Sequence, residues 1–551
     1  MIEIKKIIKD EIERAIAKLI GEKKIAAGTV PEVIVEKPRE ELHGDFSVPV
    51  AMSLARHFKS SPKVIAKKIL EESKFPADTF KKVEIAGPGF INFEVSEHVL
   101  FDKMSEILAA GSNYGRCKIG EGKKVLMEIV SANPTGPLHV GHGRGAAVGD
   151  ALACLLEALG YTVKREYYIN DAGNQMENLG KSLQIRYKQL LGEKVDFFDD
   201  GYQGEYIIHI AKKLMEEYGS SKSTEGLDFF IDYAYKAILS WIRDDLTGFR
   251  INYDTWFSER TLYGKEIDNA IQLLEAKELV CKTDGALCFK STLFGDEKDR
   301  VIIRSDGRPT YFASDIAYHK NKHDRGFDTV INLWGADHHG YIPRMQGVIK
   351  ALGYPDNFLE VYLFAMVNLM RGDEPLAMSK RAGEFVTFKK LIEEVGVDAT
   401  RFFFLMRSSD SHMDFDIELA KKHASDNPVY YVQYAHARIC SVIKKADENG
   451  IKINPDKINW GLLVSQEEKI LMRKLLEFPI LLYEAGNQRK PHLLTEYIKE
   501  VANLFHVFYT EHRVLSDDKE LSIARAALSE ATRIVIRNLL GVLGIGAPEV
   551  M

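Results

Sequence analysis

The chain holds almost nothing that would place it in a membrane or under disulfide control. No stretch reaches the roughly eighteen uncharged apolar residues of a membrane-spanning helix. The opening run MIEIKKIIKDEIERAIAKLI sets Ile4, Ile8, Ile12, Ile16 and Leu19 at helical spacing among Lys and Glu, which predicts an amphipathic helix and excludes the unbroken apolar core of a secretory signal. The five cysteines, Cys117, Cys154, Cys281, Cys288 and Cys440, are scattered without a C-x-x-C pair. Neither a disulfide framework nor a cysteine zinc site is expected from them, and a reducing cytoplasm suits them best. Repeats and low-complexity tracts are missing too. A formal net charge of -6 excludes a chain that is basic throughout, although a local basic groove for nucleic acid is compatible with it.

What is present is a long, ordinary globular composition, 45% apolar and 28% charged over 551 residues. That length exceeds what one hydrophobic core serves, so about two to four domains are expected. Residues 1–112 read as an α+β unit in which Gly87, Pro88 and Gly89 turn a hairpin inside KKVEIAGPGFINFEVS, and the polar, glycine-rich 111–122 reads as a linker. From Lys123 the pattern becomes strand, loop, helix, strand: VLMEIV, then a helix over 142–159, then TVKREYYIN. This βαβ unit builds a parallel sheet. A second alternation, DTVINLW, GYIPRMQGVIKALG and VYLFAMVNL, completes a Rossmann-like domain over 113–400, with a mostly helical insertion around 174–300. Beyond it strands are no longer expected, and four periodic stretches predict a C-terminal all-α bundle over 401–551. The fold class is therefore multidomain α/β.

SANPTGPLHVGHGRG (Ser131 to Gly145) leaves the first of these strands and enters the helix. In an open parallel sheet, ligands bind beyond the carboxyl ends of the strands, where a helix N-terminus offers unpaired N–H groups to phosphate. His139 and His142 fall on its first turn as donors to phosphate oxygens, and Gly141 leaves room for a flat ring against the backbone. The alternative is that two histidines three residues apart only cap the helix or share a metal ion. A second motif, AMSKRAG (Ala377 to Gly383), follows VYLFAMVNL, and its Lys380 and Arg381 offer cations to a departing pyrophosphate. Together the two motifs resemble the two signatures of class I aminoacyl-tRNA synthetases.

With YFASDIAYHK, WGADHHGYIPRM, DATRFFFLMR and NPVYYVQYAHARI added, the whole chain resembles arginyl-tRNA synthetase of the bacterial type. That resemblance implies ATP-dependent activation of L-arginine to the adenylate and its transfer to the terminal adenosine of tRNA(Arg). It implies catalytic roles for His139, His142 and Lys380. ATP would meet Gly141, Gly335, Asp337, His338, Met378, Ser379 and Arg381, and arginine would meet Glu128, Asn133, Glu259, Tyr311, Asp315 and His339. A planar guanidinium with five donors needs carboxylates and an aromatic wall, which Tyr311 and Asp315, four apart on one helical face, can supply. Tyr430, Tyr431, Tyr434, His436 and Arg438 set aromatics beside cations on one helix of the bundle, suited to stacked bases and phosphates. Tyr430, Tyr434 and Arg438 are taken as the tRNA contacts, and the N-terminal domain as a further tRNA-binding module. Magnesium would come with ATP; no protein-bound metal is expected, although Asp337, His338 and His339 with His139 and His142 offer a rival metal set. A cytoplasmic monomer that activates arginine only with tRNA bound is likewise implied. One departure is Ala377, where the signature usually carries a first lysine; Thr135 supplies no substitute. A class I synthetase for another amino acid and a catalytically silent tRNA-binding relative are the alternatives.

Overall fold

The computed structural model describes residues 1–23, 31–38, 43–376 and 386–551. At its centre is a five-stranded parallel sheet, in spatial order Leu359–Phe364, Thr329–Gly335, Lys124–Glu128, Thr162–Ile169, Thr255–Ser258. Chain order runs outward in both directions from Lys124–Glu128. The topological switch point therefore lies between that strand and Thr329–Gly335, where a parallel sheet opens its binding crevice. Val125, Leu126 and Met127 are all buried, as both faces of a parallel strand must be.

The helix Val140–Ala158, which follows the central strand, is buried along nearly its whole length. It achieves this by being small where neighbours press: an added Cβ on Gly143 would stand 2.3 Å from the Phe388 ring, and one on Gly145 would stand 2.8 Å from Phe364. Its polar residues hold the surroundings. Asp150 accepts from Arg165 Nε at 2.9 Å and from Arg401 Nη2 at 2.5 Å. Arg401 also donates to the carbonyls of Phe249 and Leu543. Arg144, fully buried, donates to the carbonyls of Ala365, Ser408 and Ser411.

Several elements depart from the sequence expectation. VYLFAMVNL is two strands, not one: Leu359–Phe364 lies in the central sheet, and Val367–Arg371 pairs with Glu374–Leu376 and Met413–Asp416 in a separate small sheet. The break falls at Ala365, whose carbonyl is taken by Arg144 and whose N–H donates to Ser409, so it cannot continue the ladder. Met413–Asp416 is also a strand beyond residue 400, and the domain boundary drawn there falls inside the helix Val397–Leu405. Within 174–300, the helices Asn174–Leu190, Glu205–Tyr218 and Leu227–Gly248 are followed by Thr255–Ser258, the edge strand of the central sheet. Its four residues are too few for periodicity to reveal. Asp254 anchors its start on Lys164 Nζ at 2.7 Å and on the Arg165 N–H at 2.9 Å. A three-stranded antiparallel sheet, Val280–Thr283, Ala286–Phe289 and Arg300–Ile303, comes next. The Asp284–Gly285 turn, with φ of 50° and 76°, was its sequence signal.

In the N-terminal unit, the helix Ile2–Lys23 accompanies an antiparallel sheet whose middle strand is Phe90–Val95. The unit rests on the bundle through Asp45–Arg473, Lys37–Glu477 and the Trp460 indole on Ser105. The second expected bundle stretch is two helices, Gln466–Leu476 and Phe478–Asn487, because Pro479 cannot continue the first. Among the described residues no helix is long and apolar enough to cross a membrane. Gly143→Ala is expected to destabilise the protein by about 1–3 kcal/mol through the Phe388 collision, read from denaturant midpoints; an unchanged midpoint would show that the ring yields freely.

Candidate active site

Outside the central strand the chain turns through two left-handed residues, Val130 at φ 72° and Ser131 at φ 46°. For a β-branched residue this is a strained conformation, held only where surroundings over-determine it. Here Tyr253 donates to the Ile129 carbonyl, Tyr167 to the Ala132 carbonyl, and the Tyr168 N–H to the Ser131 hydroxyl. The turn delivers Asn133, exposed and hydrogen-bonded to Gln175 at 2.9 Å, to the mouth of the crevice.

His139 is the N-cap of the helix. The His142 N–H donates to His139 Nδ1 at 3.4 Å, and the His139 N–H donates to His142 Nδ1 at 3.3 Å, a capping box built of imidazoles. The rings stack with centroids 3.6 Å apart. Because each Nδ1 accepts, the proton of each neutral ring sits on Nε2, which leaves Nε2–H as the donor edge. Gly141 lies against the His139 ring, where an added Cβ would stand at 3.1 Å. Thr387 forms a bridge with His139, and the Phe388 N–H donates to the Leu138 carbonyl at 2.9 Å. The residues that follow the second signature are thereby fastened to the first. Met378, Ser379, Lys380 and Arg381 lie outside the described residues.

Across the switch point, Gly335 ends the neighbouring strand, and Asp337, His338 and His339 follow in an exposed 3-10 turn over Ala336–Tyr341. An added Cβ on Gly335 would stand 2.5 Å from Asp337 Oδ1. Among the described residues no three His, Cys, Asp or Glu side chains are gathered as metal ligands, so Asp337, His338 and His339 do not form a common cluster with His139 and His142.

The crevice floor is acidic. Asp315, on the helix Tyr311–Asp324, accepts from the Tyr341 hydroxyl. Burial pushes its carboxyl up to about 7; the Tyr341 hydrogen bond opposes this, and the nearby charges of Glu128 and Glu259 add to it. Glu259 is 1% exposed, and its Oε2 has no hydrogen-bond partner among the described residues. Burial raises its pKa as well, against the hydroxyls of Ser314, Tyr263 and Tyr168. Glu128, at the end of the central strand, is paired with the fully buried Lys322 at 2.6 Å. Tyr168 lies within the field of all three carboxylates, which together with burial raises its own pKa. Tyr311, 49% exposed, brings its hydroxyl against Gly173 at the rim. Sequence reasoning missed Tyr341, Tyr168 and Lys322. Tyr341 lies inside WGADHHGYIPRM, whereas no motif marks the other two.

On the bundle, the helix Pro428–Glu448 stacks Tyr430 on Tyr434, 6.0 Å between centroids, with Arg438 4.5 Å over Tyr434 and 5.0 Å from Tyr509. Tyr434 is exposed, and Arg438 donates to its hydroxyl at 2.8 Å. His436 does not share this face: it is 1% exposed and bonded to the Pro548 carbonyl, because it falls on the inward side of the helix.

Three family models match the chain. They are the arginyl tRNA synthetase N terminal domain at residues 3–95, the class I (R) tRNA synthetase catalytic domain at 103–404, and the DALR anticodon binding domain at 432–551. The arginine–tRNA ligase of Syntrophotalea carbinolica is 47% identical, with 100% of both chains covered. That of Bacillus subtilis is also 47% identical, over 100% of this chain and 99% of its own. This chain belongs to the arginyl-tRNA synthetase family. The Thermus thermophilus arginyl-tRNA synthetase structure superposes with a TM-score of 0.77 over 99% of this chain and 100% of that one, at 21% identity, a likeness of fold.

In this member of the arginyl-tRNA synthetase family, the buried carboxyl group of Asp315 carries a stability cost. Asp315 keeps its proton up to about 7 when folded but releases it near 3.8 when unfolded, so the folded state holds more protons between those values and stability falls as pH rises across them. Asp315→Asn is therefore expected to stabilise the ligand-free protein by about 1–2 kcal/mol at pH 8, a gain that disappears towards pH 4. Urea unfolding at both pH values measures it; a gain independent of pH would contradict the assignment.

Proposed function

We propose that the chain is an arginine-tRNA ligase that uses ATP to form arginyl-adenylate and passes the arginyl group to the terminal adenosine of tRNA(Arg). The observation that carries arginine as the substrate is Glu259, a buried carboxylate with an oxygen that no donor reaches among the described residues. A buried acceptor left alone is costly, and a guanidinium brings five fixed donors. In this reading Asp315 and Glu259 take the guanidinium, Tyr311 walls it, and Asn133 and His339 meet the α-amino and carboxyl end, with Glu128 behind.

The arginine carboxylate then attacks the α-phosphate in line and pyrophosphate leaves. Positioning and charge stabilisation carry this step. The Nε2–H edges of His139 and His142 donate to phosphoryl oxygens. Gly141, Gly335, Asp337 and His338 line the adenosine, Met378 and Ser379 meet ATP, and Lys380 and Arg381 offer cations to the departing pyrophosphate. Magnesium arrives with ATP and needs no dedicated protein cage. Tyr430, Tyr434 and Arg438 present bases with an aromatic and cationic face. The chain acts as a cytoplasmic monomer that needs bound tRNA before it activates arginine. Residues 1–112, 113–400 and 401–551 serve as tRNA-binding, catalytic and anticodon-binding domains.

ATP–pyrophosphate exchange run over the twenty amino acids, with and without tRNA, is expected to respond to arginine alone and only with tRNA. Exchange with another amino acid would sink the specificity, and silence in every condition despite tRNA binding would favour a non-catalytic relative. His142→Ala is expected to slow exchange by about 10²–10³ while costing about 1 kcal/mol of stability through the lost cap. Lys380→Ala is expected to slow it comparably with stability unchanged; near-normal rates would remove either residue from the mechanism. Tyr434→Ala is expected to raise the KM for tRNA by about ten-fold without altering that for arginine, and an unchanged tRNA KM would return the tyrosine to a packing role.

A further inference from the structure

Lys322 is the one fully buried lysine among the described residues, and it lies beneath the crevice rather than in it. Its Nζ donates to Glu128 Oε2 at 2.6 Å and to Asn332 Oδ1 at 2.9 Å, and stands 4.0 Å over the Tyr318 ring. Glu128 and Asn332 are register partners on the two strands that flank the switch point. Asn332 Nδ2 lies 3.0 Å from His319 Nε2, and His319 Nδ1 lies 2.8 Å from the Asp315 carbonyl. A lysine can only donate, which settles every direction in this chain. Asn332 accepts through its oxygen and donates through its nitrogen; His319 Nε2 accepts, and Nδ1–H donates to Asp315. His319 is neutral, since burial and the charge of Lys322 push its pKa down to about 3.

One ammonium thus touches both ends of the cleft, Glu128 directly and the turn that carries Asp315 through two relays. The nearby Glu166 is served separately, by bidentate Arg325 and the Tyr318 hydroxyl. Of the carboxylates around Tyr168, Lys322 neutralises Glu128 and leaves Asp315 and Glu259 to a cationic ligand. Burying an ammonium costs several kcal/mol before its partners repay it, and an apolar residue would fill the same volume without that cost.

We propose that Lys322 is a positioning residue for arginine, which sets the charge of the pocket and holds the Asp315 turn in register with the switch-point strands. This rests on the proposed arginine-activating function and adds to it a group that never touches the substrate. Asp315 is faced by Tyr341 from the 3-10 turn, Glu128 from the central strand, Tyr168 from the next, Glu259 from the turn after the edge strand, and Lys322 from its own helix. Lys322 lowers the Asp315 pKa, so its removal raises it. The pH below which arginine binds poorly should then move upward.

The test measures arginine KM, ATP KM and kcat for tRNA-dependent exchange across pH 5.5–9, a range chosen about the Asp315 midpoint. Lys322→Gln, whose amide can still bond Glu128 and Asn332, is expected to raise arginine KM about ten-fold, leave ATP KM alone, and shift the acid limb of arginine KM to higher pH. Lys322→Arg, which keeps the charge, should restore the limb. Asn332→Ser, which cuts the relay but keeps the ion pair, should raise arginine KM without moving the limb, and it serves where Lys322→Gln melts below the assay temperature. Exchange with arginine by the unsubstituted protein tests the underlying function separately. Given that exchange, unchanged arginine KM in Asn332→Ser, or an unmoved limb in a folded Lys322→Gln, would overturn the proposal.

Discussion

Asp150 sits inside the protein between two guanidiniums, Arg165 from the second strand of the sheet and Arg401 from the helix that leads to the bundle. Breaking a buried ion pair strands a charge in a low dielectric, so two parts of the chain are locked to one helix face more firmly than apolar packing alone would lock them. That helix, Val140–Ala158, carries the histidine cap at its N-terminus. Arg144, a turn and a half upstream of Asp150, staples the carbonyls at 365, 408 and 411, which bracket the strands on either side of the 377–385 segment. The bridge from His139 to Thr387 completes the frame. The histidine cap and the residues Thr387 and Phe388, far apart in sequence, are held at one sheet edge by backbone bonds, with Arg144 and the buried Asp150 holding the surrounding chain.

Against this rigid frame the crevice is deliberately under-satisfied. Among the described residues Glu259 Oε2 has no donor, Asp315 accepts from the Tyr341 hydroxyl, and Val130 is held at a positive φ. A buried acceptor without a donor and a β-branched residue at positive φ each cost free energy. Strain and unpaired charge gathered where the sheet opens mark a binding site on physical grounds alone. The stacked histidines show the same economy. Their Nδ1 atoms face the backbone and hold the helix start, so the phosphate contact proposed above would fall to the opposite, Nε2, edge of each ring.

Four of the five strands of the central sheet, the helix after the first of them and the bundle were legible in the chain because each rests on local periodicity or on turn residues with few conformational options. The histidine motif was legible for a similar reason: a glycine, two prolines and a helix start leave little freedom over fifteen residues. Tyr311 and Asp315 could be placed on one helix face by spacing, and resemblance gave them a substrate. Tertiary structure alone decided which carboxylates are neutralised. Glu128, Glu259 and Asp315 are all carboxylates in the sequence, but a lysine from a distant helix turn pairs with the first, and Glu259 Oε2 has no hydrogen-bond partner among the described residues. It also decided that Ala365 breaks a continuous apolar run and that His436 turns inward while Tyr434 faces out. Local pattern depends on neighbours three or four residues away, whereas charge balance in a buried crevice depends on groups that meet only when the chain has closed on itself.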